Sequence, residues 1–378
     1  MENPRIAWLL TSAFYYWHPM LAALTRRFGD LKAYAANWRG YAAGFENSFA
    51  VEIVGRRKVI PILKGSTGYG INFTYLPLNI VSRLLEFKPH IIFSNSFGIW
   101  TLLALAFKPI ARWRVVIAYE GSSPSVDCRN SPLRLAVRRS MVKTADACIT
   151  NSLAGKIYLT EVLKAPENRV FVHPYEVPAI ASFTQTNSEG QTPEKIKPIF
   201  LFVGSLIPRK GIDLLLDACA VLAERGIDRY TLQIVGDGND RPGLEQFCQE
   251  KGLSDRVEWI GRVDYSELGA YFQQADVFVL PTLEDTWGVV VSEAMLLGKP
   301  VLCSQWAGAS ELIEHGENGW ICDPRDRQTL ANLLAQIVDN PQLAIEMGDR
   351  ARATMQRYTP EAAADFLADV VERVNAAY

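Results

Sequence analysis

The feature that most constrains this chain is an alternation that runs twice. Short β-branched runs predict strands at Ile6–Leu10, Leu31–Tyr34, Val51–Val54, Ile91–Ser94, Val115–Tyr119, Ala147–Thr150 and Val170–His173. A second set follows at Ile199–Val203, Thr231–Val235, Val257–Ile260, Val277–Leu280, Pro300–Cys303 and Gly319–Cys322. Stretches of helical periodicity lie between them, for example Ile212–Arg225, Gly243–Lys251 and Tyr265–Gln274. Such alternation calls for parallel sheets covered by helices on both faces. A chain of 378 residues suits two cores better than one. The expectation is α/β, with two doubly wound Rossmann-like domains.

The boundary is legible. Residues 181–197 (ASFTQTNSEGQTPEKIK) are polar and lack apolar periodicity, which reads as a linker between domains at 1–180 and 198–357. Thr359-Pro360-Glu361 then sets a helix start, a cap followed by proline. The helix Glu361–Ala377 carries Phe366, Val370, Val371 and Val374 on one face, so the segment 358–378 has an apolar stripe to bury.

Charge divides unevenly. Residues 1–190 hold 22 Lys and Arg against 12 Asp and Glu, and the remainder holds 17 against 29. Either the first half meets an anionic ligand or surface, or the imbalance is chance. Arg134, Arg138, Arg139 and Lys143 interleave with Leu133, Leu135, Val137, Met141 and Val142. That pattern suits a basic helix on an anionic membrane, or a solvated helix face. The six cysteines are scattered without a CxxC pair and the four histidines show no zinc spacing, which predicts reduced thiols and no metal site. The N-terminus lacks a signal-peptide layout. The longest apolar stretch, Phe97 to Ile110, is broken by Lys108-Pro109 and reads as a buried helix rather than a membrane span. The expected location is cytoplasmic, with peripheral attachment to the cytoplasmic membrane face as a further option.

The stretch richest in chemistry is Asp285-Thr286-Trp287-Gly288-Val289-Val290-Val291-Ser292-Glu293. It follows a strand and opens a helix, where unpaired amides and the positive dipole end favour an anion. Its two carboxylates can accept hydrogen bonds from hydroxyls. An anion beside hydroxyls describes a nucleotide sugar. Three other strand-end loops fall at one sheet edge. They are Gly204-Ser205 with Arg209-Lys210-Gly211, then Gly236-Asp237-Gly238, then Ile260-Gly261-Arg262. Glycines there let a backbone approach a ligand, and Arg209 and Lys210 can neutralise a diphosphate.

Together these residues resemble the retaining nucleotide-sugar glycosyltransferases of family 4 (glycosyl transferases group 1), which have the GT-B fold of two Rossmann-like domains facing each other across a cleft. The resemblance covers nearly all of residues 199–358. It includes Pro281, Thr286-Trp287-Gly288 and Glu293-Ala294, then Gly308-Ala309-Ser310-Glu311-Leu312-Ile313. The first half matches only at Asp146 with Ile149-Thr150-Asn151-Ser152 and at Arg169-Val170 with His173-Pro174.

The resemblance implies roles. Glu293 would hold the ribose hydroxyls of the donor, Asp285 would contact its sugar and Lys210 its diphosphate. The amides of Trp287-Gly288-Val289 would complete the anion site. It implies sugar transfer from a nucleoside-diphosphate sugar to an acceptor hydroxyl, without a metal or other cofactor. The acceptor would bind the first domain, with Tyr15, Tyr16, Glu120 and Asn151 on that side, and the closing helix would pack back on that domain. A lipid-linked acceptor at a membrane face would fit polysaccharide or glycolipid biosynthesis. Nucleic acid is not an expected partner.

The chain departs from the family pattern at several points. Ser205 stands where Arg is usual; either Arg209 replaces that charge or phosphate affinity is weaker. Asp285 stands for Glu and reaches about 1.5 Å less. Thr11 to Trp17 replaces a glycine-rich loop, Glu120-Gly121 a histidine, and Pro174-Tyr175-Glu176 a Pro-Asn-Gly hinge. Glu120 is a candidate base or acceptor ligand, or a loop carboxylate with no chemistry. Lys64-Gly65-Ser66-Thr67-Gly68-Tyr69-Gly70 lacks the Walker spacing and reads as a mobile loop over the acceptor. A dinucleotide oxidoreductase needs a glycine fingerprint after the first strand, and no glycine occurs there before Gly29. A non-catalytic nucleotide-sugar-binding module and another enzyme class on the same fold stay open.

Overall fold

A computed structural model describes residues 4–63, 71–175, 177–184 and 197–376. The chain divides into two compact units, one of residues up to 179 together with those from 358 onward, the other of residues 180–357.

The first unit is built on strands β1 (Ile6–Leu10), β2 (Leu31–Ala35), β3 (Ala50–Ile53), β6 (Ile91–Asn95), β7 (Arg114–Tyr119), β8 (Ala147–Thr150) and β9 (Val170–Val172). An antiparallel pair, β4 (Lys58–Leu63) and β5 (Ile71–Tyr75), stands apart. The seven main strands are parallel in the order β3-β2-β1-β6-β7-β8-β9. The second unit holds β10 (Ile199–Val203), β11 (Thr231–Val235), β12 (Val257–Gly261), β13 (Val277–Leu280), β14 (Val301–Ser304) and β15 (Gly319–Cys322). Their order is β12-β11-β10-β13-β14-β15. Each sheet reverses direction of winding next to its first strand, between β1 and β6 and between β10 and β13. That switch point opens a crevice at the carboxyl edge.

The central strands are apolar throughout because helices cover both faces. All five residues of β1 (IAWLL) are buried. Two aspartates do matching work, one in each unit, each just ahead of a strand. Asp146, just ahead of β8, accepts from the Val115 amide at 2.8 Å, and Asp276, ahead of β13, accepts from the Ile199 amide at 2.8 Å. Each pairs a strand-end N–H that the sheet ladder leaves unmatched.

The last helix, Pro360–Ala376, belongs to the first unit. Ala363, Leu367, Val370, Val371 and Val374 share one core with Trp8, Leu21 and Leu24. Thr359 caps it, its Oγ1 accepting from the Ala362 amide at 3.1 Å.

Four expectations need correction or qualification. Phe183, read as linker, is fully buried in the second unit and packs near Tyr265 and Phe272. The Gly269 amide donates to its carbonyl at 2.7 Å, an approach only a residue without Cβ permits. The stretch Phe97 to Ile110 is not buried all round. The helix Ile99–Ala111 turns Trp100, Ala104 and Leu105 inward and leaves Leu102 and Ile110 exposed. In the helix Pro132–Thr144 the apolar residues do not form one buried face, since Leu133 is 76% exposed while Met141 and Val142 are buried. Arg138 there is turned inward, donating to Tyr158 Oη at 2.8 Å and lying 4.9 Å over the Phe97 ring. The segment 64–70, Glu176 and residues 185–196 lie outside the described residues.

Candidate functional site

At the carboxyl edge of the second sheet, three loops are laced by backbone bonds. The Gly204 amide donates to Val235 O at 3.0 Å, Leu206 to Asp237 O at 3.1 Å, and Gly236 to Gly261 O at 2.7 Å. Gly236 has φ +135, and a Cβ on it would collide with the Gly204 carbonyl, so glycine is required there on two counts. Ser205 and Arg262 are exposed on this edge, and Ile260 is half-buried. A Cβ on Gly238 would meet the Leu206 carbonyl.

The turn after β10, Pro208–Lys210, is tied to the loop after β13. Leu283 N donates to Arg209 O at 2.7 Å, and the Thr282 hydroxyl to the same carbonyl at 2.9 Å. Arg209 Nη1 donates to the Glu284 carbonyl at 3.0 Å. These ties bring Lys210 against Asp285, with Nζ 2.5 Å from Oδ2. Arg209 stands 3.9 Å from the same oxygen. Asp285 is fixed in turn by its own backbone, which bonds Trp306 O and the Gly308 amide.

The chain then passes Thr286, half-buried, and Trp287, 2% exposed. Trp287 therefore offers its backbone to this edge, and its ring belongs to the core. Gly288, at φ +97, opens the helix Val289–Leu296. Helix starts leave amides without intrahelical partners, with a positive partial charge behind them.

Glu293 is the fifth residue of that helix and only 2% exposed. The Tyr265 hydroxyl donates to its Oε1 at 2.7 Å. Among the described residues its Oε2 has no hydrogen-bond partner. Burial pushes its carboxyl up to about 7, against the Tyr265 bond that pulls it down. A buried acceptor left unmade costs about 1–3 kcal/mol, so a hydroxyl donor arriving here is favoured.

A second cluster sits at the switch point of the first sheet. Trp8 Nε1 donates to Asn95 Oδ1 at 2.8 Å, and Asn95 Nδ2 donates to Glu120 Oε1 at 2.8 Å. Burial raises the Glu120 carboxyl while the Asn95 bond lowers it. Tyr15 and Tyr16 are half-buried after β1; Tyr15 meets His18 edge-on, and Tyr16 packs with Phe14 and Trp17. Asn151 is different. It is 1% exposed and its Oδ1 accepts from the Tyr175 amide at 2.9 Å, so that oxygen ties β8 to the segment after β9.

The structure thus gathers Lys210, Arg209 and Asp285 into one cluster, and places Gly288 and Glu293 on the loop and helix that follow. Glu120 stands in the other unit. Sequence reasoning missed Tyr265 and Asn95, the partners of the two key glutamates. Neither carries a local signal, because the contacts join residues 28 and 25 positions apart. The described residues include no group of His, Cys, Asp or Glu able to hold a metal.

Residues 183–354 match the family model of glycosyl transferases group 1. Alpha-D-kanosaminyltransferase of Streptomyces kanamyceticus is 30% identical over 180 residues, 47% of this chain and 46% of that protein. The amylovoran biosynthesis glycosyltransferase AmsK of Erwinia amylovora is 30% identical over 181 residues, 46% of this chain and 44% of its own. The matched part therefore spans about half the length of these relatives. Among solved structures, Anabaena HepE in complex with UDP superposes with TM-score 0.75 at 20% identity, over 97% of this chain and 99% of that one. Sucrose-phosphate synthase from Thermosynechococcus elongatus gives 0.74 at 21% identity over the full length of both. The two Rossmann-like units are of the GT-B type.

Proposed function

We propose that this chain transfers a sugar from a nucleoside-diphosphate sugar to an acceptor hydroxyl, with retention at the transferred carbon, as a family 4 glycosyltransferase of glycan assembly. The observation that carries it is Glu293, a fully buried carboxylate on the helix that follows Gly288, with one oxygen held by Tyr265 and the other unclaimed among the described residues. Paired ribose hydroxyls donate two hydrogen bonds to such a group. Family match, the UDP named for HepE and the glycan named for AmsK support the same reading.

In this reading Lys210 leaves Asp285 for the diphosphate, and the amides following Gly288 receive its oxygens. Asp285, released, turns to the hydroxyls of the donor sugar. As the glycosidic bond breaks, charge grows on the leaving diphosphate. Lys210, once its partner is exchanged on donor binding, and Arg209 stabilise it from a turn that backbone ties hold in place. Retention follows if the acceptor hydroxyl attacks from the face the diphosphate leaves, with a donor phosphate oxygen taking its proton. Glu120, its carboxyl raised by burial and oriented by Asn95, binds the acceptor. The cations present are the counter-charge of the leaving group, so transfer proceeds without a metal. A lipid-linked acceptor would place the chain at the cytoplasmic face of a membrane; no described helix is long and apolar enough to cross one.

The test is donor hydrolysis across a panel of UDP-, GDP- and ADP-sugars, with the released anomer read by NMR and chelator present in one arm. Hydrolysis of one donor with retained configuration, lost in Glu293→Ala, supports the reading. An inverted product removes retention, and chelator sensitivity removes metal independence. Unchanged activity in Glu293→Ala removes the donor site.

A further inference from the structure

We propose that the first unit carries a binding site for an acidic acceptor, a hollow at the carboxyl edge of β2 and β3 that takes a sugar ring bearing a phosphate or carboxylate. The proposal rests on the transfer reading above and supplies the chemical class of its acceptor.

The hollow is open to solvent and has a volume of about 640 Å³, within the range of small-molecule sites. Asn37, Trp38, Ile53, Arg56, Arg57 and Val59 line it. It is built by the sheet. Val54 N donates to Ala35 O at 2.9 Å, Arg57 N to Ala36 O at 3.1 Å, and Ala13 N to Asn37 O at 3.1 Å. The loops after β1, β2 and β3 are therefore joined at the edge where parallel sheets bind ligands. Gly55 between them has φ +128, and a Cβ there would lie 2.7 Å from Pro77 Cγ. The backbone turns at that glycine, which brings two consecutive arginines to the rim.

Their charge is not spent internally. Arg57 Nη1 donates to Ser12 Oγ at 3.2 Å, a neutral partner. Arg56 is exposed and has no partner among the described residues. Among the described residues no Asp or Glu lines the hollow. Two guanidiniums with no carboxylate between them present forked donors suited to a planar carboxylate or a phosphate. Apart from Asn37, the remaining side chains of the wall are apolar. Trp38 is half-buried, braced edge-on by Tyr41 at 5.1 Å and by a tilted His18 ring at 5.1 Å. Ile53 and Val59 are 60% and 45% exposed. A fixed indole beside two cations without a carboxylate partner among the described residues matches a ring with an acidic substituent. A neutral sugar would leave both arginines facing water alone.

The test uses the full chain and ligand-observed NMR with glucuronic acid, glucose 6-phosphate and glucose as probes, and a parallel arm with phosphatidylglycerol vesicles. The acidic sugars should bind at least about tenfold more tightly than glucose, the size of one charge-assisted hydrogen bond. The double variant Arg56→Ala, Arg57→Ala should lose that preference while its melting temperature stays unchanged. Because Arg57 holds Ser12, Arg56→Glu is the second variant; it breaks no internal bond and should also abolish the preference. Equal binding of all three probes, a preference that survives both variants, or binding confined to vesicles would overturn the proposal. UDP titration in the same samples reads the other unit, so failure of the donor site is seen separately.

Discussion

Lys210 Nζ and Asp285 Oδ2 are 2.5 Å apart, each side chain only 12% exposed, at the ends of two neighbouring strands. The pair neutralises a cation and an anion that would otherwise face each other's element unmatched. It also sets the cost of admitting a diphosphate, since Lys210 must change partners. Lys210→Ala leaves Asp285 with only Arg209 at 3.9 Å, and breaking a buried pair destabilises by about 3–5 kcal/mol. The expected loss is somewhat below that range because water reaches both groups. The double variant Lys210→Ala, Asp285→Ala should regain most of the stability in urea unfolding yet still fail to bind donor. Donor binding restored along with stability would show that Lys210 has only a structural role.

Glu293 makes a pH prediction. Its carboxyl titrates near 7 in the fold and near 4.5 when unfolded. Between those values the unfolded chain sheds a proton that the folded chain keeps. Stability from this group is complete below pH 4.5, falls as pH rises to 7, and is flat above. The span corresponds to about 3 kcal/mol. Glu293→Gln should therefore melt higher than the parent at pH 8 and equal to it at pH 4. Equal melting at pH 8 would mean that Glu293 ionises without penalty.

Donor binding should release protons. Hydroxyls donating to Glu293 favour its charged form and lower its pKa. Titration at pH 7 in buffers of different ionisation enthalpy should show a fraction of a proton, about one half, leaving per donor bound, absent in Glu293→Gln. Proton uptake would contradict the assignment.

His18 carries the opposite dependence in the other unit. It is fully buried in an aromatic surround, its Nδ1 accepting from the Ala42 amide at 2.9 Å. Burial lowers it to about 4 from 6.5. The unfolded chain takes up a proton as pH falls below 6.5, so the stability this residue gives is present above 6.5 and drains away down to pH 4. Acid should open the first unit before the second, read by hydrogen exchange of β1 against β10. Simultaneous loss would remove His18 as the cause.

The closing helix is part of the first core. Leu367 is fully buried there, and Leu367→Ala should cost about 2–5 kcal/mol. Hydrogen exchange should place the loss in the first unit, although residue 367 follows the second unit in sequence. Loss confined to residues 180–357 would contradict the placement.

The thirteen strands of the main sheets were legible as short β-branched or apolar runs, most of them between helices, from Ile6–Leu10 to Gly319–Cys322. The pair β4 and β5 was not. Pro61 interrupts β4, and proline argues against a strand unless it lies at an edge. In the site, the sequence showed Lys210, Asp285 and Glu293 at strand ends, since glycine turns and helix starts mark those ends locally. It did not show that Lys210 faces Asp285 or that Tyr265 holds Glu293, because such pairings depend on how loops from distant strands are tied. Leu102 and Leu133 escaped for a similar reason: a helical pattern gives a face, and only packing decides which face is covered.

The central claim is that the second unit binds a nucleoside diphosphate through Glu293, and calorimetric titration of UDP, GDP and ADP into the parent and Glu293→Ala tests it most directly. The account predicts that one of the three binds the parent and that the variant binds it at least about tenfold more weakly, the loss of one charge-assisted hydrogen bond. No binding by any of them, or equal affinity in parent and variant, would contradict it.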